Sequence, residues 1–564
     1  MDLTAIDRWN TAALDTMADT LGSRVTTVGE VEGALRTAAQ LPGWFSEGGD
    51  SARSLYTVTA DDLRDEAAVL GAAQRLATET SAAVKHLQAR LAALRSDAAA
   101  ESMTINPDGS VVAAPKDGTE EEQAARESKR LTLEASAKAL IAQAADVDAD
   151  AQRVFTQIQA GEISARGAAT MEEATRAGAD QGGLTPLEPP ADAPPREVTA
   201  YWEALTPEQQ QQVLTDHPDW LGNVDGIPMP VRHTANVSLL DREQKRLEDR
   251  RDRLRRQIDD HWFDGTFTNE DAELEHVEKK IADVEKLRQI IDADPWSPDN
   301  LGGKMLVLMD MQSGEQGKAA IAIGNPDDAD HISVTTPGVD TTIHGSFDSM
   351  MGESENMRDE VLDELQREGR GGQTVSTISW LGFEPPVSDG SRPPGWYLGE
   401  AAQQDRASDG ADDLADFYRG LAATSTKDDP HIVALGHSYG SVTQGLALQE
   451  PGGHPVDDAV FYGSPGFEAN DEPELGLEQD HGYVMQGDDD WIRHTQSKGP
   501  IGTNGPAPNE TDLVQLDVDA RTTPDGVDRE GAYEHPDYPR NGANGELRVS
   551  GYLMARIIAG LPPE

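Results

Sequence analysis

The run Ile432-Val433-Ala434-Leu435-Gly436-His437-Ser438-Tyr439-Gly440-Ser441 carries an apolar strand straight into a Gly-x-Ser-x-Gly turn, followed by a helix-like segment from Val442 to Leu448. That order of elements is a nucleophile elbow. A serine at such a turn presents its hydroxyl at the end of a sheet, and the two backbone arms approach so closely that only small residues fit two positions to either side. Gly436 and Gly440 fill those positions. Gly-x-Ser-x-Gly strings also occur in ordinary loops, so the flanking strand and helix select Ser438 as a nucleophile over a plain turn serine.

From Lys304 onward the hydrophobic period is that of strands. Met305–Met309, Ala319–Ile323, His331–Thr336, Thr374–Trp380, His431–Leu435, Asp458–Tyr462, Tyr483–Met485 and Leu513–Leu516 read as eight strands, most of the later ones separated by helix-compatible segments. This predicts a mainly parallel sheet with helices on both faces. The first two strands, joined by Gln312 to Gly317, are expected to form an antiparallel pair at the sheet edge. Residues 301–564 make up this domain.

Before it the period is helical. Residues 1–180 are rich in alanine, with Leu63, Leu70, Val84, Leu87, Leu91 and Leu94 forming one apolar stripe, which predicts a helical bundle or hairpin. Breaks fall at Pro42-Gly43-Trp44, where Trp44 is read as an aromatic plugging the bundle end, and at Asn106-Pro107-Asp108-Gly109. The proline-rich stretch 181–195 reads as a linker. Residues 196–300 read as a helical connector with a charged hairpin broken at Asp264-Gly265-Thr266; its arginines, Arg250 to Arg256, alternate with acidic residues and read as a solvated face.

The chain has 564 residues, no cysteine and a formal charge of −55. Two or more domains are expected at this length. Disulfides, thiolate metal sites and a cysteine nucleophile are excluded, and the charge opposes binding to nucleic acid or anionic membrane surfaces. No apolar run approaches the length that spans a bilayer, and Met1 to Asn10 lacks a signal-peptide core. A cytoplasmic protein is expected, or one exported by a leaderless route.

A serine hydroxyl needs a base, and the base an orienting carboxylate. After an elbow of this type the acid and then the histidine follow in chain order. Val484-Met485-Gln486-Gly487-Asp488-Asp489-Asp490-Trp491-Ile492 is a strand ending in an acidic turn; Asp490 is the favoured acid and Asp488 its rival. His535, in the loop Ala532-Tyr533-Glu534-His535-Pro536-Asp537-Tyr538, is the only histidine after the last strand and is the expected base. His437 is read as structural. The oxyanion donors are expected to be the backbone amides of Tyr439, just after the nucleophile, and Val339, in the turn Thr336-Pro337-Gly338-Val339-Asp340. This chemistry calls for no metal and no organic cofactor.

The phrases Ala329-Asp330-His331-Ile332-Ser333-Val334, Ser379-Trp380-Leu381-Gly382-Phe383, Gly436-His437-Ser438-Tyr439-Gly440-Ser441 and Tyr462-Gly463-Ser464-Pro465-Gly466 resemble an actinobacterial α/β-hydrolase family long catalogued as a domain of unknown function. Leu221-Gly222-Asn223-Val224-Asp225-Gly226-Ile227-Pro228 and Arg232-His233-Thr234-Ala235-Asn236 resemble the segment preceding the hydrolase in that family. The resemblance implies an α/β-hydrolase fold and adds weight to Ser438, Asp490 and His535. The N-terminal helices are more loosely similar to helical-hairpin proteins of type VII secretion. They depart from that pattern, because Phe45 and Ser46 follow Trp44 and Ala60 stands where the export signal has an acid.

Together these features predict a serine hydrolase acting on a small-molecule ester or lipid through an acyl-enzyme. An acyltransferase would use the same three residues. The competing class is an interaction protein that works through residues 1–180, which would engage a helical protein partner. The segment Glu384 to Asp409, with Trp396 and Tyr397, is read as a lid or a surface insertion.

Overall fold

Alanine and leucine at helical spacing build the first of two compact units, Met1–Val213 and Leu214–Glu564. The computed structural model describes residues 1–40, 43–260, 269–387, 405–494 and 505–563. The sequence breaks at Pro42 and at 264–266, and most of the 384–409 segment with Trp396 and Tyr397, lie outside the described residues.

The first unit contains α1 (Leu3–Arg8), α2 (Thr11–Ala39), α3 (Glu47–Ala100), a hairpin of β1 (Met103–Ile105) and β2 (Val111–Ala113), α4 (Glu120–Ala160), α5 (Met171–Gly182), α6 (Pro195–Ala204) and the start of α7 (Pro207–Asp216). Its helices begin where the sequence supplies caps: the Ser46 side chain accepts the Gly49 N–H, and Thr119 and Thr170 form capping boxes with Glu122 and Glu173. Leu87, Leu91 and Leu94 of α3 bury against Leu133 and Leu140 of α4. Two features differ from the sequence reading. Trp44 plugs nothing, since 49% of it is exposed. The stretch 181–195 is tied to this unit: Leu184 is buried, the Thr185 N–H and hydroxyl both donate to Asp150, and the Tyr201 hydroxyl donates to the Leu187 carbonyl at 2.5 Å. The division therefore falls after Val213, because the polar groups of the proline-rich stretch find their partners on α4 and α6.

In the second unit the sheet order is β10-β9-β8-β7-β5-β6-β4-β3. The strands are β3 (Lys304–Asp310), β4 (Lys318–Ile323), β5 (His331–Thr336), β6 (Val375–Leu381), β7 (His431–His437), β8 (Asp458–Tyr462), β9 (Gly482–Met485) and β10 (Val514–Leu516). All adjacent pairs from β6 to β10 are parallel, while β4 is antiparallel to both β3 and β6. Alternation along β7 shows why both faces are covered. Ile432 and Ala434 face the core shared with α11 (Asp405–Thr424) and α12 (Gly440–Leu448), whereas Val433 and Leu435 face the one shared with α13 (Val549–Ile558). Helix α10 (Ile343–Arg367) contributes to both cores.

Residues 214–300 belong to this unit and seal its open edge. Asn223 accepts the Met309 N–H and donates to the Met309 carbonyl, at 2.9 and 2.8 Å. His233 Nδ1 accepts the Leu306 N–H at 3.0 Å, and Asn236 donates to the Leu306 carbonyl at 3.2 Å. Leu306 and Met309 are three apart and would face opposite ways in a regular strand; the register shift between Leu306 and Leu308 turns both outward. Burial pushes His233 down to about 4, which keeps its ring neutral and able to accept. Helices α8 (Met229–Asp260) and α9 (Asn269–Ala293) pair Arg250 with Glu273 and Arg255 with Glu278, so these two arginines of the run serve the hairpin itself.

A chain beginning at Leu214 is expected to fold alone and melt cooperatively, since among the described residues those that build the cores around the sheet all lie after 228. Circular dichroism on heating checks this; a broad, non-cooperative transition would place part of the core in the first 213 residues.

Candidate active site

Ser438 lies between β7 and α12 with φ +52°. A left-handed conformation at a residue with a Cβ costs on the order of 1–2 kcal/mol and persists only where the surroundings impose it. Here the Ser438 N–H donates to the Tyr462 carbonyl of β8 at 3.1 Å, and the Ser438 carbonyl accepts the Ser441 N–H and hydroxyl at 3.1 and 2.5 Å. The two elbow glycines are required by space. A Cβ on Gly440 would lie 2.3 Å from the Thr336 carbonyl oxygen, and one on Gly436 would lie 2.7 Å from Ser441 Cα.

The Ser438 hydroxyl is 2.9 Å from His535 Nε2. On the other side of the ring, His535 Nδ1 donates to Asp490, with Oδ1 at 2.9 Å and Oδ2 at 3.1 Å. Asp490 is fully buried and also accepts the Ile492 N–H at 3.0 Å and the Tyr538 hydroxyl at 2.6 Å. Burial pushes the Asp490 carboxyl up, but the hydrogen bonds from His535, Tyr538 and the Ile492 amide, with the imidazole's charge, outweigh it and hold the group below the ordinary carboxylate range. Asp488 is turned away: it is exposed and ion-paired with Arg493 at 2.5 Å. The structure thus brings Ser438, His535 and Asp490 together and leaves Asp488 outside.

Tyr439 follows Ser438 directly, and Val339 follows Gly338. A Cβ on Gly338 would lie 2.7 Å from Ser438 Cβ and 3.1 Å from its Oγ, so the backbone leading to Val339 runs directly beside the hydroxyl. The Tyr439 side chain is 2% exposed and stacks on Phe383 at 6.2 Å, as core.

Two residues contribute that the sequence does not flag as site residues. His437 Nε2–H donates to the His535 carbonyl at 3.1 Å, and its ring stacks on Tyr462 at 5.1 Å. Burial pushes His437 down to about 3, helped by the neighbouring His535. Gly463, with φ +54°, is where β8 passes the charge pair: a Cβ there would stand 3.2 Å from both Asp490 Oδ2 and His535 Nδ1. Away from this site, Glu360, Glu364 and Asp525 converge to within 4.8 Å. They are already matched by Arg529, Arg367 and Arg556, so the cluster reads as an ion-pair network joining α10, the late loop and α13.

Residues 312–500 match a family model described as alpha/beta hydrolase. An uncharacterized protein of Mycobacterium tuberculosis is 35% identical over 248 residues, covering 43% of this chain and 86% of that protein. A second uncharacterized protein of that organism is 29% identical over 295 residues, covering 51% of this chain and 42% of that one. The chain belongs to this alpha/beta hydrolase family, which has mycobacterial members. Dipeptidyl peptidase 4 of Porphyromonas gingivalis aligns at 12% identity over 46% of this chain and 35% of its own, with a TM-score of 0.24, too low to bear on function. Among the described residues no helix is long and apolar enough to cross a membrane.

Two outcomes test the geometry. Asp490→Asn should lower turnover by about 10⁴-fold through the wrong imidazole tautomer, and Asp488→Asn should leave it within a few-fold; kcat for any accepted substrate ranks them. Because the folded His437 ring binds its proton only near pH 3 while the unfolded ring does so near 6.5, the unfolded state holds more protons between these values. Stability should therefore fall as pH drops from about 6.5 toward 3, and His437→Gln should flatten that slope in urea melts.

Proposed function

We propose that this chain is a serine hydrolase that cleaves a carboxylic ester through an acyl-enzyme on Ser438. The observation that carries the reading is the unbroken hydrogen-bond chain from Ser438 Oγ through His535 to the buried Asp490, mounted on a strained strand-to-helix turn. His535 Nε2 takes the Ser438 proton as Oγ attacks the ester carbonyl. Asp490 fixes the ring with its proton on Nδ1 and stabilises the imidazolium that forms. The amides of Tyr439 and Val339 receive the charge that develops on the substrate oxygen, a contribution on the order of 3 kcal/mol per donor. The imidazolium then protonates the departing alcohol, and water attacks the acyl-enzyme by the same route in reverse.

An apolar substrate is supported by Trp491, which is 40% exposed with its ring 5.0 Å from that of His535. Phe383 and Pro386 bring the start of the 384–409 segment to the same end of the sheet: Phe383 stacks on Tyr439, and the Pro386 carbonyl accepts the Asp340 N–H at 2.9 Å.

The test is covalent. A fluorophosphonate should label the wild-type chain at Ser438, and Ser438→Ala should lose labelling and drop ester hydrolysis on the order of 10⁴-fold or more while melting normally. A panel of esters with graded acyl and alcohol chains then defines the substrate. Labelling without hydrolysis of any ester, but with cleavage of amides or transfer to an added alcohol, would keep the nucleophile and reject ester hydrolysis.

A further inference from the structure

Two loops meet at the proposed triad. Residues 486–492 follow β9 and carry Asp490; residues 532–539 precede α13 and carry His535. Tyr538, on the second loop, reaches the first through its hydroxyl. It accepts the Gly487 N–H at 2.9 Å and donates to Asp490 Oδ2 at 2.6 Å. Its ring is fully buried, 5.7 Å from Tyr462 and 6.3 Å from His437. Because the Gly487 amide occupies the oxygen as a donor, the phenolic hydrogen has one direction left, toward the carboxylate. Burial and the Asp490 charge push the phenol up, which keeps that hydrogen in place.

Asp490 divides its two oxygens unequally. Oδ1 accepts the Ile492 N–H and the shorter His535 contact, at 3.0 and 2.9 Å. Oδ2 is shared between the phenol at 2.6 Å and the imidazole at 3.1 Å. A donor this close to a carboxylate forms a charge-assisted bond and withdraws part of the charge that would otherwise attract the imidazolium.

We infer that Tyr538 is a positioning residue: its hydroxyl locks the two loops together and sets how strongly Asp490 holds a charged His535. This rests on the reading of Ser438, His535 and Asp490 as a triad. Without the donor, the carboxylate turns its full charge on the ring, and the ring keeps its proton to higher pH. A stronger donor acts in the opposite sense. Among the described residues, the other charged or titratable groups around the pair include His437, which bonds the His535 carbonyl; Tyr462; Arg493, held by Asp488 and the Gly487 carbonyl; Asp537, which accepts the Tyr533 and Glu534 amides; and Arg540, whose charge acts on His437 and which pairs with Glu353. None of these donates to Asp490.

The readout is the rate of fluorophosphonate labelling of the full chain as a function of pH, which follows the fraction of His535 able to accept the Ser438 proton. Tyr538→Phe should move the midpoint of that profile up by about half a pH unit or more, the transmitted share of a charge-assisted bond. Its plateau rate should also fall about 10-fold as the ring loses its fixed orientation. Placing 3-fluorotyrosine at position 538, a stronger donor of nearly the same shape, should move the midpoint down with little change in the plateau. If the phenylalanine variant fails to fold by circular dichroism, the fluorinated protein decides alone. A role confined to packing leaves the midpoint where it is in both proteins and overturns the inference. Wild-type protein that takes up no label overturns the triad reading, and this inference falls with it.

Discussion

The contact on which the site depends is the approach of the Gly440 backbone to the carbonyls of Thr336 and Pro337, so close that a Cβ would stand 2.3 and 2.5 Å from their oxygens. It fixes where α12 begins relative to the end of β5. With the helix start pinned there and β7 entering from below, the turn has one way to close, and Ser438 takes the left-handed conformation that closes it. The same contact draws the 336–340 loop across the elbow and sets Gly338 beside the hydroxyl. The strained turn at Ser438 and the close passage of Gly338 are thus two results of one steric constraint.

Asp490 and His535 arrive independently, on loops that follow β9 and precede α13. Their convergence depends on β8, whose last residue receives the Ser438 N–H and whose next residue, Gly463, leaves room for both side chains. His437 adds a tie from the strand itself, since the residue before Ser438 holds the backbone of His535. Rigid strands therefore define the geometry while loops supply the chemistry.

Much of this was legible in the sequence because it is written in local patterns. The eight strands follow from runs of apolar and β-branched residues, and the elbow follows from glycine spacing after one of them. What was not legible depends on partners remote in the chain. Asp488 and Asp490 sit in one acidic run and differ only in what surrounds them: three donors and burial at one, an arginine and solvent at the other. The proline-rich stretch looks like a linker by composition, yet Leu184 and Thr185 have fixed partners that composition does not reveal. Tyr538 stands three residues past His535 in a loop with no periodicity, and nothing local marks it.

The side chains of Asn223, His233 and Asn236 occupy the outward-facing backbone groups of Leu306 and Met309, the hydrogen-bonding positions that a further strand would need. An open edge strand is a template for another chain, and a parallel-rich sheet assembled from distant segments exposes that template while it folds. Here the cap is encoded ahead of the strand it covers, by the turn that holds Asn223 and the first turns of α8. With those positions filled, a second chain finds no free pairing groups on Leu306 or Met309, and the sheet ends at β3.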